Sequence, residues 1–311
     1  MNEKFDFMLM RLLRRLGFEK TAWALRRLNC PVGKDALVLE VGSGGNPYFR
    51  ANVLLDAYEN TRERHWVPLI SDRPTVLGFV ENLPFKDKAF DFVIASHVLE
   101  HSADPRKFLS ELQRVAKAGY IEVPDTFMER INPYRDHRLE ITVRNGRLCI
   151  RKKKSWQVDA ELVELYESRI KKIITQDTMR KHPFEFHVRY YWQNKIDYEI
   201  LNPEIDASWQ ASGSDNSSSV APNFISRFRS KILEFVRLLF SQHRRNKNID
   251  LIKLLSCPSC KNVDLKFSHD NIFCQKCNKN YIVQNGIPVM YPTSKSNSDS
   301  NLAIAESSMT G

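Results

Sequence analysis

The sequence predicts an α/β chain on a mostly parallel sheet, with a small cysteine-rich module near the C-terminus. Three observations predict it. The apolar run Leu37 to Val41 meets a glycine cluster at Gly42, Gly44 and Gly45. A second run, Val53 to Leu55, ends on the carboxylate of Asp56, and Cys257, Cys260, Cys274 and Cys277 form two CxxC pairs.

Taken in order, Leu37 to Val41 is apolar except for Glu40, the pattern of a parallel strand buried on both faces. Glycine reaches positive φ and has no Cβ, so the cluster lets the backbone turn sharply and approach a ligand at the carboxyl end of the strand. Asn46 and Pro47 suit the N-cap and first residue of a helix of about one turn. Asp56 then stands where a carboxylate can accept hydrogen bonds from both hydroxyls of a ribose. Only five residues separate Gly45 from Ala51, too few for the helix that binds a dinucleotide pyrophosphate, and the third glycine of that fingerprint is missing. NAD is therefore disfavoured. S-adenosylmethionine carries no phosphate and needs only a close-approach loop, a ribose acceptor and an apolar adenine slot.

Further along come the turn Glu81, Asn82, Leu83, Pro84, Phe85, a strand from Asp91 to Ser96 with the polar end Ser96 and His97, and an amphipathic helix. Phe108, Leu109, Leu112 and Val115 have the spacing of a helix laid on a sheet, and Ile121 to Val123 supplies the next strand. This order resembles the class I S-adenosylmethionine-dependent methyltransferases, a Rossmann-like fold, in the small-molecule branch related to the ubiquinone-biosynthesis enzymes. The resemblance covers residues 35 to 125. It implies that Glu40, Gly42, Ser43 and Gly44 hold the methionine part of the cofactor and that Asp56 binds its ribose. It also implies that Glu81, Asn82 and Leu83 line the adenine side, and that Ser96 and His97 lie beneath the sulfonium and open toward the acceptor. In the family an acidic residue commonly stands two before the turn glutamate; here that residue is Phe79. The bland alternatives are a turn cap for Asp56, a solvated charge for Glu81, a core histidine for His97 and a backbone-bound helix-start residue for His101. His97, His101 and His137 are the catalytic candidates.

Residues 125 to 200 fall outside the common pattern and read as an inserted hairpin lid on the acceptor side. Leu139 to Val143 and Leu148 to Ile150 flank Asn145 and Gly146, the favoured type I′ turn pair. A further strand is expected in residues 182 to 192, with Phe186, Val188 and Tyr190 on one face and His187, Arg189 and Tyr191 on the other. Asp125, Arg135, Asp136, His137 and Arg189 are candidate acceptor contacts or, alternatively, solvated hairpin charges.

Thirteen residues separate the two CxxC pairs, a spacing that lets two knuckles point four thiolates at one tetrahedral zinc. Disulfides or redox pairs are the alternatives, disfavoured by the reducing cytosol expected of a chain without a signal peptide. A module of about forty residues buries little core, so the metal would supply folding energy and, with four thiolates bound, would be structural. With Gly286, Ile287, Pro288, Val289 and Met290, the segment 250–292 resembles the short zinc-ribbon proteins that activate tRNA, ribosomal-RNA and release-factor methyltransferases. That resemblance implies an activator or stabiliser fused in cis.

The sequence divides into basic amphipathic helices over 1–34, the methyltransferase domain over 35–206, a linker and basic amphipathic helix over 207–249, the ribbon over 250–292 and a disordered tail over 293–311. Phe5, Met8, Leu9, Leu12, Leu13 and Leu16 alternate with Arg11, Arg14 and Arg15, and the segment 224–246 is similar. Either segment can pack on the core or lie on an anionic membrane. A net charge of +10 leaves room for an anionic partner. The expected function is cytoplasmic methyl transfer, with or without contact at the inner face of the membrane, to a small molecule or a lipid- or nucleotide-linked glycan intermediate. The alternatives are a tRNA or translation-factor methyltransferase and a non-catalytic protein with a degenerate pocket.

Overall fold

The structure is a computed structural model that describes residues 3–61, 64, 66–210, 237 and 239–292. The strands are β1 (Val38–Val41), β2 (Val53–Asp56), β3 (Thr75–Leu77), β4 (Phe90–Ser96), β5 (Ala116–Pro124), β6 (Leu139–Arg144), β7 (Arg147–Lys152), β8 (His187–Gln193), β9 (Tyr198–Ile200), β10 (Leu265–Phe267), β11 (Asn271–Cys274), β12 (Asn280–Gln284) and β13 (Ile287–Pro288). The principal sheet has the order β3-β2-β1-β4-β5-β8, with β1, β2 and β3 paired in parallel and β8 antiparallel to β5. The helices include α1 (Met8–Arg15), α2 (Glu19–Leu25), α3 (Pro105–Val115), α4 (Thr126–Ile131) and α5 (Ala160–Leu165). The described residues form two compact units: one comprises those of 35–93, 107–117 and 237–292, the other those of 3–34, 94–106 and 118–210.

In the first unit, every residue of β1 and β2 is buried, including Glu40 and Asp56 within and at the end of the apolar runs. Phe108, Leu109, Leu112 and Val115 of α3 are all essentially inaccessible, which bears out the amphipathic spacing. The helix expected at Asn46 and Pro47 does not form: residues 42 to 52 are turns. The reason is local. Tyr48 is buried, its backbone N–H donates to the Glu40 carboxylate at 2.7 Å, and Ala51 N–H donates to Tyr48 O, so the segment folds back onto β1 instead of coiling outward.

The cysteine module belongs to this same unit. Its strands form the antiparallel sheet β10-β11-β12-β13, and the chain leaving β13 pairs with β3: Val289 bridges Leu77 in parallel, and Met290 N–H donates to Leu77 O at 2.7 Å. At the other end of the module, Leu255 bridges Phe85, and Lys261 Nζ reaches the Glu111 carboxylate at 2.7 Å. Glu111 also receives Arg114 through two short bonds.

In the second unit, Met10, Ala22 and Phe184 form a small core with Phe7, Leu13, Trp23 and Leu25 packed around it. The apolar face of α1 is only partly used: Met8, Leu9, Leu12 and Leu16, with Phe18 beyond, are exposed. The hairpin β6–β7 forms as expected, and Asn145 (φ 52°) and Gly146 (φ 78°) both take the left-handed conformation of a type I′ turn. The strand expected within 182–192 is shorter at its start, since Pro183–Glu185 is a 3₁₀ turn, and β5 is longer than the expected Ile121 to Val123. Most of the linker and the basic helix expected over 224–246 lie outside the described residues, as does the tail.

Candidate functional site

In the first unit, the glycine turn takes the geometry its composition requires: Gly42 and Gly44 have φ of 64° and 57°. A Cβ on Gly45 would stand 2.4 Å from Val67 Cγ1 and 3.0 Å from Pro68 O, so Val67 and Pro68 pack directly on the turn. Ser43 is buried, and its hydroxyl makes no hydrogen bond. A buried hydroxyl without a partner is costly and marks a place for a ligand atom. Glu40 is held inward on Tyr48 N–H, so it shapes the loop.

The Asp56 carboxylate ends β2 with both oxygens engaged. Oδ2 accepts from Gly44 N–H at 2.8 Å; Oδ1 accepts from Tyr58 N–H at 3.2 Å and from Arg64 Nη1 at 2.7 Å. Arg64 is anchored in turn on the carbonyls of Tyr58, Glu59 and Val67. Beyond Asp56 stand three aromatic rings: Phe79 lies 5.0 Å from Tyr291 and 6.0 Å from Tyr58. Tyr291 donates its hydroxyl to Ala57 O at 2.7 Å. Burial, then the neighbouring Tyr58, Asp56 and Glu59, keep this phenol neutral. Sequence reasoning missed Tyr291 and Arg64; the one available signal was that Tyr291 directly follows the Gly286–Met290 pattern. Glu81 and Asn82 lie in a 3₁₀ turn, and buried Leu83 turns its carbonyl to Arg114 and Lys261.

The four cysteine thiols lie within 4.8 Å of one another. Cys257 and Cys277 Sγ are 3.6 Å apart and Cys260 and Cys274 Sγ 3.5 Å, well beyond the ~2.05 Å of a disulfide. They approach the ~3.8 Å edge of a tetrahedron with Zn–S bonds of about 2.3 Å. Each knuckle closes the same way: Lys261 (φ 59°) and Asn278 (φ 57°) follow the second cysteine in left-handed turns and donate back to Cys257 O and Cys274 O. This donor set fits a structural zinc.

The second unit holds the histidines. His97 takes a left-handed φ of 58°, sparsely populated for a non-glycine residue, at the end of β4. Its Nδ1 lies 3.5 Å from Glu100 and its Nε2 3.5 Å from Glu122. Burial would lower the His97 pKa, but the two carboxylates overcome it and raise it to about 9. Glu122 is fully buried and heavily bonded, receiving Arg26 through two bonds, the Tyr120 hydroxyl and the Ser96 hydroxyl. Burial lowers the His187 pKa, so that ring is neutral.

His101 and His137, far apart in sequence, meet edge to face with ring centroids 4.8 Å apart. Arg189, an expected acceptor contact, instead forms a bidentate pair with buried Asp6 at 2.7 and 3.0 Å. Asp125 caps α4 and accepts from Thr142. Asp136 presents its carbonyl to His101 Nδ1, and the Arg135 guanidinium lies 5.9 Å over the Trp156 ring.

Residues 39–121 match the family described as a methyltransferase domain. Two curated relatives overlap the same region. A sarcosine/dimethylglycine N-methyltransferase of Aphanothece halophytica is 30% identical over 102 residues, 29% of this chain and 37% of that protein. An uncharacterized protein of Methanocaldococcus jannaschii is 30% identical over 96 residues, 31% of this chain and 45% of its own. The chain thus spans less than half the length of either relative. Among solved structures, the complex of the Haloferax volcanii Trm112 methyltransferase activator with a methyltransferase aligns at 17% identity over 61% of this chain and 94% of that one, with a TM-score of 0.34. A possible histamine N-methyltransferase of Thermotoga maritima aligns at 22% identity over 42% and 61%, with a TM-score of 0.28.

Proposed function

We propose that this chain is an S-adenosylmethionine-dependent methyltransferase with a structural zinc ribbon in cis, acting on a small molecule or a lipid- or nucleotide-linked glycan intermediate. The observation that carries it is the coincidence of the methyltransferase-domain match with the glycine turn that holds the unpartnered Ser43 hydroxyl. Bound S-adenosylmethionine supplies an activated methyl group on its sulfonium. Glu40 sets the turn, Ser43 gives a hydrogen bond to the methionine part, and Asp56 serves the ribose once Arg64 yields Oδ1. Tyr58, Phe79 and Tyr291 form an aromatic wall for adenine, the last contributed by the chain that leaves the ribbon.

On the acceptor side, the raised pKa of His97 makes it an imidazolium at neutral pH. Already protonated, and with each ring nitrogen facing a carboxylate, it does not serve as the general base. Cys257, Cys260, Cys274 and Cys277 complete a four-thiolate shell with no open position, so zinc would stabilise the ribbon and not take part in transfer.

No helix among the described residues is long and apolar enough to cross a membrane. Met8, Leu9, Leu12 and Leu16 nevertheless form one exposed stripe beside Arg11 and Arg15, the pattern of an interfacial helix, and this favours the lipid-linked reading. Cosedimentation with phosphatidylglycerol vesicles, abolished in Leu9→Glu/Leu12→Glu, would support that reading; no cosedimentation would remove it.

The test of the activity is calorimetric titration with S-adenosylmethionine and its demethylated product, with NAD as control. Saturable binding of the first two alone is expected. Absence of binding by well-folded protein would leave the degenerate-pocket reading.

A further inference from the structure

Glu100 is the least satisfied charged group among the described residues. It is 2% exposed, and neither carboxylate oxygen has a hydrogen-bond partner; the nearest cation, His97, stands at 3.5 Å without hydrogen-bond geometry. A buried carboxylate in that state is costly, and the protein holds it there by structure. Glu100 sits in the 3₁₀ turn Leu99–His101, and its carbonyl accepts from Arg138 N–H at 2.7 Å, which brings the 137–138 backbone alongside.

That pairing gathers a ligand set. One donor atom each of Glu100, His101 and His137 lies within 4.8 Å of the other two. The histidine tautomers follow from their partners. His101 Nδ1 is 3.1 Å from Asp136 O; a carbonyl only accepts, so Nδ1 carries the hydrogen and Nε2 presents the lone pair. His137 Nδ1 is 2.7 Å from the Glu129 carboxylate, with the same consequence. Glu129 is itself fixed by Lys153 Nζ at 2.6 Å and Tyr134 N–H at 3.0 Å. An imidazole whose Nδ1–H is tied to a carboxylate or carbonyl is the usual outer support of a metal-binding Nε2.

We propose that Glu100, His101 and His137 bind a divalent first-row transition-metal ion. Two imidazoles and a carboxylate suit such an ion and leave coordination positions open. The ion would give the Glu100 carboxylate the close partner that His97, 3.5 Å away, does not provide, and its open positions would take an oxygen donor of the acceptor. This last step rests on the methyltransferase reading, whereas metal binding itself does not.

Cobalt(II) titration of the full chain, its ribbon already loaded with zinc, tests the proposal by visible absorption. The expected result is a weak d–d spectrum of nitrogen and oxygen ligation, free of thiolate charge transfer and saturating at one ion per chain. Glu100→Gln, His101→Ala and His137→Ala should each weaken cobalt binding at least about tenfold, and Glu129→Gln by about tenfold through loss of outer support. Far-UV circular dichroism and retained zinc would show that each variant is folded. Well-folded wild-type protein with no such spectrum would overturn the site. So would a spectrum unchanged in all four variants, or one dominated by thiolate bands. Because no S-adenosylmethionine is present, failure here leaves the calorimetric test of the activity untouched.

Discussion

Replacing Met290 by alanine tests whether the ribbon is part of the cofactor-side core or an appendage. Met290 is fully buried, and its N–H is bonded to Leu77 O. Alanine keeps the backbone bond and removes three heavy-atom groups, a transfer loss of about 2.4 kcal/mol at roughly 0.8 kcal/mol each. A residual cavity of roughly 60 Å³ at about 24 cal/mol per Å³ adds about 1.4 kcal/mol if nothing relaxes. The expected destabilisation is therefore about 3 to 4 kcal/mol, within the range of about 2 to 5 kcal/mol seen for buried Met→Ala. Urea unfolding followed by circular dichroism measures it, with zinc release followed in parallel by a chromogenic chelator. Both transitions should move to lower urea together. A shift below about 1 kcal/mol, or zinc release that moves alone, would refute the argument that Met290 packs into a shared core.

Cys274→Ser should abolish stoichiometric zinc and, because Tyr291 follows the ribbon, weaken S-adenosylmethionine binding as well; full zinc retention by metal analysis would contradict the four-thiolate site. Asp56→Ala should weaken cofactor affinity by about 1 to 3 kcal/mol, while Arg64→Ala, which frees Oδ1, should tighten it; calorimetric shifts of the same sign would show that Arg64 does not compete with the ribose. Burial alone would raise the Glu111 pKa, but Arg114 and Lys261 hold it below the ordinary carboxylate value of 4.5. Its ionised form thus stabilises the fold fully above pH 4.5, and that contribution is lost as pH falls through the lower folded value. The stability gap between wild type and Glu111→Gln, about 2 kcal/mol at pH 7, should narrow on acidification below pH 4.5 in urea titrations, and a constant gap would contradict the pairing.

What the sequence revealed was what neighbouring residues encode together. The β1 and β2 runs, the spacing of α3, the Asn145–Gly146 turn and each CxxC knuckle are written within a dozen residues, where periodicity and turn chemistry act. The supposed helix after Gly45 failed because its fate depended on Tyr48 finding Glu40 and a buried site, a contact that local propensity does not carry. Arg189 looked like an acceptor contact because its partner, Asp6, lies 183 residues away. His101 and His137 were legible as separate chemical groups and not as a pair, since their meeting depends on the Arg138–Glu100 backbone bond. Glu100 was passed over altogether: a glutamate in sequence gives no sign that folding will bury it without a hydrogen bond.

Phe79 shows how such distant contacts change the meaning of a residue. At a position where the resembled family commonly carries an acid for the adenine amino group, an aromatic ring first reads as decay. In the structure the ring packs on Tyr58 and on Tyr291, and Tyr291 is present only because the chain leaving the ribbon pairs with β3. An acid at position 79 would face two aromatic rings, a poor setting for a negative charge. An aromatic there completes a flat apolar wall, which can take a purine by stacking in place of a hydrogen bond to its amino group. On the methyltransferase reading, Phe79 and the covalent attachment of the ribbon belong together: Tyr291 reaches Phe79 through the backbone that pairs with β3, so unfolding the cysteine module would weaken cofactor affinity from outside the glycine turn.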